Sequence, residues 1–68
     1  MKVVVNGEAM DVGEGETVAD VLTRLGRIAS PAGIAVALNG EVVPRTAWQA
    51  TVVSRGDRVE VLAAAQGG

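Results

Sequence analysis

Sixty-eight residues suffice for one domain, which buries only about 60% of the surface that its unfolded chain exposes. With no Cys and no His, the chain has no disulfide, no thiolate or imidazole ligand for a metal, and no imidazole for acid–base catalysis. Six basic residues stand against eight acidic ones for a net charge of −2. The basic residues form no run and Trp48 is the only aromatic, so nucleic acid is not an expected partner, and the acidic residues are too scattered for a calcium loop.

In chain order, residues 2–6 read as a strand with Val3 and Val5 on one face and Lys2, Val4 and Asn6 on the other. Its opening apolar run is too short for a signal-peptide core or a membrane span, so a cytoplasmic protein with no membrane partner is expected. Asn6-Gly7 is a hairpin turn signal, and residues 9–12 follow as a short second strand with Met10 and Val12 together. Gly13 to Glu16 form a loop. Thr17 then reads as a helix N-cap with Asp20 at N3, a variant of the capping box in which Asp replaces Glu or Gln. Val18, Val21, Leu22 and Leu25 repeat at i, i+3, i+4 and i+7, predicting one buried helical stripe that ends at Gly26. A helix of two turns is not stable alone and needs a sheet to pack on.

Residues 27–33, with Ser30-Pro31 and Gly33, read as a linker. The run 34–38 is apolar on both faces, as in a central strand. Asn39-Gly40 is the next turn, Glu41 to Val43 continue extended, and Pro44 stops a central strand. Residues 46–50 read as a short helical turn around Trp48, either a core or rim anchor with its indole N–H satisfied or a partner-facing residue, and 51–53 as a short strand. After a turn at 55–57, residues 58–62 form the last strand, with Val59 and Val61 on one face and Arg58, Glu60 and Leu62 on the other. One helix against one face of a sheet makes an α+β domain, expected over residues 1–63.

A single helix covers one face only. The open face then carries Leu62, Val4 and one side of 34–38, an apolar patch suited to a protein partner, to a second copy, or to nothing beyond scattered surface area. Arg45, beside Pro44, is either a solvated charge or part of such a docking face. The segment 64–68, AAQGG, is expected to be a flexible tail. Its two glycines either simply fray or let the terminus thread a narrow channel and present a carboxylate. The side chains supply no strong nucleophile, so the chain is not expected to be an enzyme.

The ordered set of Asn6-Gly7, Thr17 to Leu22, Ala35 to Arg45, Trp48, Gly56 to Glu60 and Gly67-Gly68 runs nearly end to end. It resembles the ThiS family, the sulfur carriers of thiamine thiazole biosynthesis. The resemblance implies a ubiquitin-like β-grasp, a mixed sheet with its first and last strands parallel at the centre and the helix across them. It implies that a ThiF-type adenylyltransferase spends ATP to adenylate Gly68. Sulfur from a donor such as a cysteine desulfurase relay then makes a thiocarboxylate, and thiazole synthase accepts that sulfur. No cofactor would be bound by the chain itself. Gly68 would be the covalent site, Gly67 would give the tail its freedom, and Leu62, Val4, Arg45 and Gln66 would meet partners. The alanines before the glycines depart from the larger or charged residues frequent there. Alternatives are the small subunit of molybdopterin synthase, another thiocarboxylate sulfur carrier, a ubiquitin-like protein modifier, or a plain binding module.

Overall fold

The computed structural model describes residues 1–26 and 33–63. The expected flexible tail at 64–68, and the expected linker apart from Gly33, lie outside the described residues. The elements are β1 (Lys2–Val5), β2 (Glu8–Asp11), α1 (Val18–Leu25), β3 (Ile34–Leu38), β4 (Glu41–Val43), a 3₁₀ turn (Arg45–Ala47) and β5 (Arg58–Ala63). The strands form one five-stranded sheet in the order β2-β1-β5-β3-β4. β1 and β5 are parallel, with Val4 beside Arg58 and Val5 beside Val59, and the other pairings are antiparallel. This is the mixed β-grasp sheet with one main helix across it that the resemblance implied.

Local chemistry explains the elements. Both hairpins close on Asn-Gly with positive φ at each central residue, 50° and 84° at Asn6-Gly7 and 52° and 88° at Asn39-Gly40. That backbone matches the right-handed twist of the flanking strands, and only Gly, Asn and Asp adopt it readily. The capping box is complete: the Asp20 N–H donates to Thr17 Oγ1 at 3.2 Å and the Thr17 N–H to Asp20 Oδ2 at 2.9 Å. The shorter Asp side chain therefore serves at N3, and Gly26 closes the helix in the left-handed conformation.

The period-2 and helical patterns converge on one core. Val3, Val5, Val36, Val43 and Val59 of the sheet pack with Val18, Val21 and Leu22 of α1 and with Val12, Trp48 and Val53. Trp48 is 6% exposed, and its indole N–H donates to the Val43 carbonyl at 2.9 Å, so it is a core anchor.

Several expected boundaries shift, among them the last strand, which runs to Ala63 rather than Leu62, and the helical turn, which ends at Ala47 rather than Ala50. Asn6 leaves the first strand for the turn, and the second strand runs from Glu8 to Asp11. The helical turn begins at Arg45 rather than Thr46. Residues 51–53 form no strand of the sheet but only a single bridge between Val52 and Thr17. The backbone carbonyls of Thr51 and the nearby Trp48 serve the helix instead. The Val18 N–H donates to the Thr51 carbonyl at 2.8 Å and the Ala19 N–H to the Trp48 carbonyl at 3.1 Å, satisfying two N–H groups that a helix start leaves unpaired. Among the described residues, no helix is long and apolar enough to cross a membrane.

Candidate functional site

The candidate site is the uncovered sheet face and the end of β5 from which the chain runs on toward Gly68. Alternation along β5 buries Val59, half-buries Val61 and leaves Arg58, Glu60 and Leu62 exposed on the other side. Leu62 is 67% exposed. Register places Ala35 beside Leu62, Ala37 beside Glu60, and Val42, 76% exposed, beside Ala37. Val4 of β1 is half-buried on this same face beside Arg58. A shallow depression of about 330 Å³ is lined by Val4, Asn6, Gly7, Arg58, Val59, Glu60 and Leu62. Val4 and Leu62 thus both line this patch of the open face, with Arg58 beside Val4 and Glu60 between Arg58 and Leu62 along β5.

Lys2 and Asp11 pair at 3.0 Å across the β1–β2 edge of this face. The Lys2 hydrogen bond holds the Asp11 carboxyl below its ordinary value. Arg45 is exposed at the start of the 3₁₀ turn after the edge strand β4. Because β3 is antiparallel to both β4 and β5, the C-terminal ends of β4 and β5 lie at the same end of the sheet. Arg45 is therefore at the exit end, with β3 between its strand and Leu62. Gln66, Gly67 and Gly68 lie outside the described residues.

Two side chains that fasten β5, Asn6 near the exit end and Asn39 at the far end, were read from the sequence only as strand-end and turn residues. Beyond Val5, β1 turns away from β5, and the Asn6 side chain continues the ladder in its place. Asn6 Nδ2 donates to the Val61 carbonyl at 3.1 Å, and the Val61 N–H donates to Asn6 Oδ1 at 2.8 Å. The Asn6 backbone N–H also donates to the Val59 carbonyl at 2.9 Å. At the opposite end of β5, the Arg58 N–H donates to Asn39 Oδ1 at 2.9 Å, and Asn39 Nδ2 donates to Asp57 Oδ1 at 3.0 Å. The signal was the choice of Asn over Gly or Asp before each turn glycine, since only the amide carries both a donor and an acceptor.

Chemically the patch offers contact area and a rigid strand end, and the described residues contain no cluster of three or more Asp or Glu able to hold a metal. The sequence matches the family described as "ThiS family" over residues 3–68. It is 34% identical to the sulfur carrier protein ThiS of Escherichia coli (strain K12), covering all 68 residues of this chain and all of that one. It is 35% identical to a thiazole synthase of Paramagnetospirillum magneticum, covering all of this chain and 20% of that protein. Its fold superposes on the crystal structure of a thiamine biosynthesis protein (ThiS) from Geobacter metallireducens with a TM-score of 0.82 at 40% identity, covering both chains completely.

Proposed function

From the premise that this chain belongs to the ThiS family, we propose that the carboxylate of Gly68 is the group on which sulfur travels. The chain is a sulfur carrier of thiazole and thiamine biosynthesis, a substrate of partner enzymes rather than an enzyme itself. The observation that carries the finer reading is that the family match runs through Gly67-Gly68, in a chain with no Cys to hold a persulfide.

A carboxylate is a poor electrophile. A ThiF-type adenylyltransferase would join it to the AMP part of ATP and release pyrophosphate, turning one carboxylate oxygen into part of a good leaving group. Hydrosulfide attacking the acyl carbon would displace AMP and leave the thiocarboxylate directly. A persulfide from a donor such as a cysteine desulfurase relay would displace AMP to leave an acyl disulfide, whose S–S bond a thiol then reduces, releasing the thiocarboxylate and a disulfide. Thiazole synthase is the acceptor in this reading. The stretch of a thiazole synthase that matches this chain along its whole length supports the two acting together.

Each part of the fold has a task in this scheme. The Val4–Leu62 patch docks the body of the carrier on its partners, with Arg45 and Gln66 adding polar contacts toward the exit end. The five residues after Ala63 span at most about 17 Å when fully extended, enough to carry Gly68 into a partner's site while the folded body stays outside. The glycine pair adds no side chain to obstruct entry. The match to ThiS supports the thiazole branch over the molybdopterin one. Incubation with the adenylyltransferase, ATP and a sulfur donor, followed by the mass of the C-terminal peptide, tests the scheme. The expected product carries sulfur in place of one oxygen at Gly68. An isopeptide to another protein would move the function to protein modification.

A further inference from the structure

β5 is fastened by a side-chain amide at each end, and the two fastenings differ in where they lie along the strand. Asn39 secures Arg58, the first residue of β5. Asn6 secures both the N–H and the carbonyl of Val61, two residues before the strand ends at Ala63. On the other side of β5, β3 pairs with Leu62 and Ala63 through Ala35 and Ile34. Beside β1 the Asn6 amide is the last support that β5 has among the described residues.

We propose that Asn6 is a positioning residue for the carrier reaction: its amide fixes the direction in which the chain leaves β5 toward Gly68. The proposal rests on the carrier reading given above. Without the amide, the end of β5 is held from one side only and can peel away. The end of β5 at Ala63 is then less fixed, and a partner must order it at the moment of binding, a cost that a preorganised strand avoids. Asp at this position keeps an acceptor for the Val61 N–H, but it has no donor and sets a carboxylate against the Val61 carbonyl. Gly keeps the positive φ of the turn and removes the clamp.

Asn39 provides a matched control. It occupies the same position of the same kind of Asn-Gly turn, is exposed as Asn6 is, and fastens the same strand at the end away from the exit. The experiment compares Asn6→Gly, Asn6→Asp and Asn39→Gly in steady-state adenylation by a ThiF-type adenylyltransferase, read as pyrophosphate release, alongside melting temperature and amide exchange. Asn6→Gly is expected to raise KM for the carrier about tenfold with kcat within about twofold, and to speed exchange of the Val61 amide about tenfold. Asn6→Asp moves KM in the same direction. Asn39→Gly lowers the melting temperature comparably but leaves KM and Val61 exchange at the parent's values. Equal KM changes in the Asn6 and Asn39 variants, or a parent-like KM in Asn6→Gly, would overturn the positioning role while leaving the carrier reading intact. A parent chain that takes no adenylate would overturn the carrier reading, and this proposal with it.

Discussion

Replacing Leu62 by Asp separates docking from folding. With 67% of Leu62 exposed, about a third of its burial is already made in the free protein. Complete burial of a Leu side chain is worth about 1.5–3 kcal/mol, so folding draws about 0.5–1 kcal/mol from this residue and docking can draw about 1–2. Asp is also a poor strand former, by up to about 1 kcal/mol. The expected loss of stability is therefore about 0.5–2 kcal/mol, a fall in melting temperature of roughly 2–16 °C for a domain of this size. Docking loses the apolar contact and must in addition strip water from a carboxylate, a further penalty of about 1–3 kcal/mol. Together these weaken Kd at least about thirtyfold. Calorimetric melting and titration against thiazole synthase measure the two quantities separately. Val52→Asp is the control, since Val52 is 53% exposed but lies outside the sheet. A Leu62→Asp chain that no longer folds would make Leu62 a core residue. A folded one with the parent's Kd would remove the open face from the interface.

Two further perturbations test how the scaffold is held. Glu16 accepts from Arg24 Nε at 2.7 Å and from the Gly13 N–H at 2.9 Å, and these bonds, the Arg24 one foremost, hold its carboxyl at about 2, below the ordinary 4.5. A depressed folded-state value means that the contribution is fully present above about 4.5 and is lost as pH falls from there through about 2. Glu16→Gln should therefore melt lower than the parent near neutrality and lose less on acidification, with the difference shrinking in high salt. Trp48→Phe leaves the Val43 carbonyl without its indole donor and should cost about 1–3 kcal/mol in denaturant unfolding, with no change in adenylation KM once folded. A neutral Trp48→Phe would show that water replaces the indole at that carbonyl.

Elements governed by local rules were legible in the sequence. The Val18–Leu25 stripe, the Thr17 cap and the two Asn-Gly turns each carry a mechanism that acts within a few residues, and each is present. The faces of β5 were equally legible, because period-2 alternation separates Val59 from Leu62. Strand order was not, since nothing in the periodicity of 2–6 and 58–62 says that they pair in parallel. That knowledge came with the resemblance. Residues 51–53 misled because Thr-Val-Val has strand propensity, and the competing demand arose thirty residues earlier, from unpaired N–H groups at the start of α1. The roles of Asn6 and Asn39 were hidden for a similar reason: each amide meets a strand far away in sequence, 55 residues on for Asn6 and 19 for Asn39.

The central claim is that sulfur is carried by the carboxylate of Gly68 and by nothing else in the chain. The most direct measurement compares three chains after incubation with adenylyltransferase, ATP and sulfur donor: the parent, one lacking Gly68, and one extended by a residue after it. Intact mass and the mass of the C-terminal peptide report where sulfur lands. The parent should gain one sulfur in exchange for one oxygen at Gly68, passing through an adenylate. The shortened chain draws the reacting carbon back by one residue, and misplacement of even about 1 Å can cost roughly a hundredfold. The extended chain converts the Gly68 carboxylate to an amide. Both should remain folded and gain no sulfur, whereas sulfur gained by the untrimmed extended chain would contradict the claim.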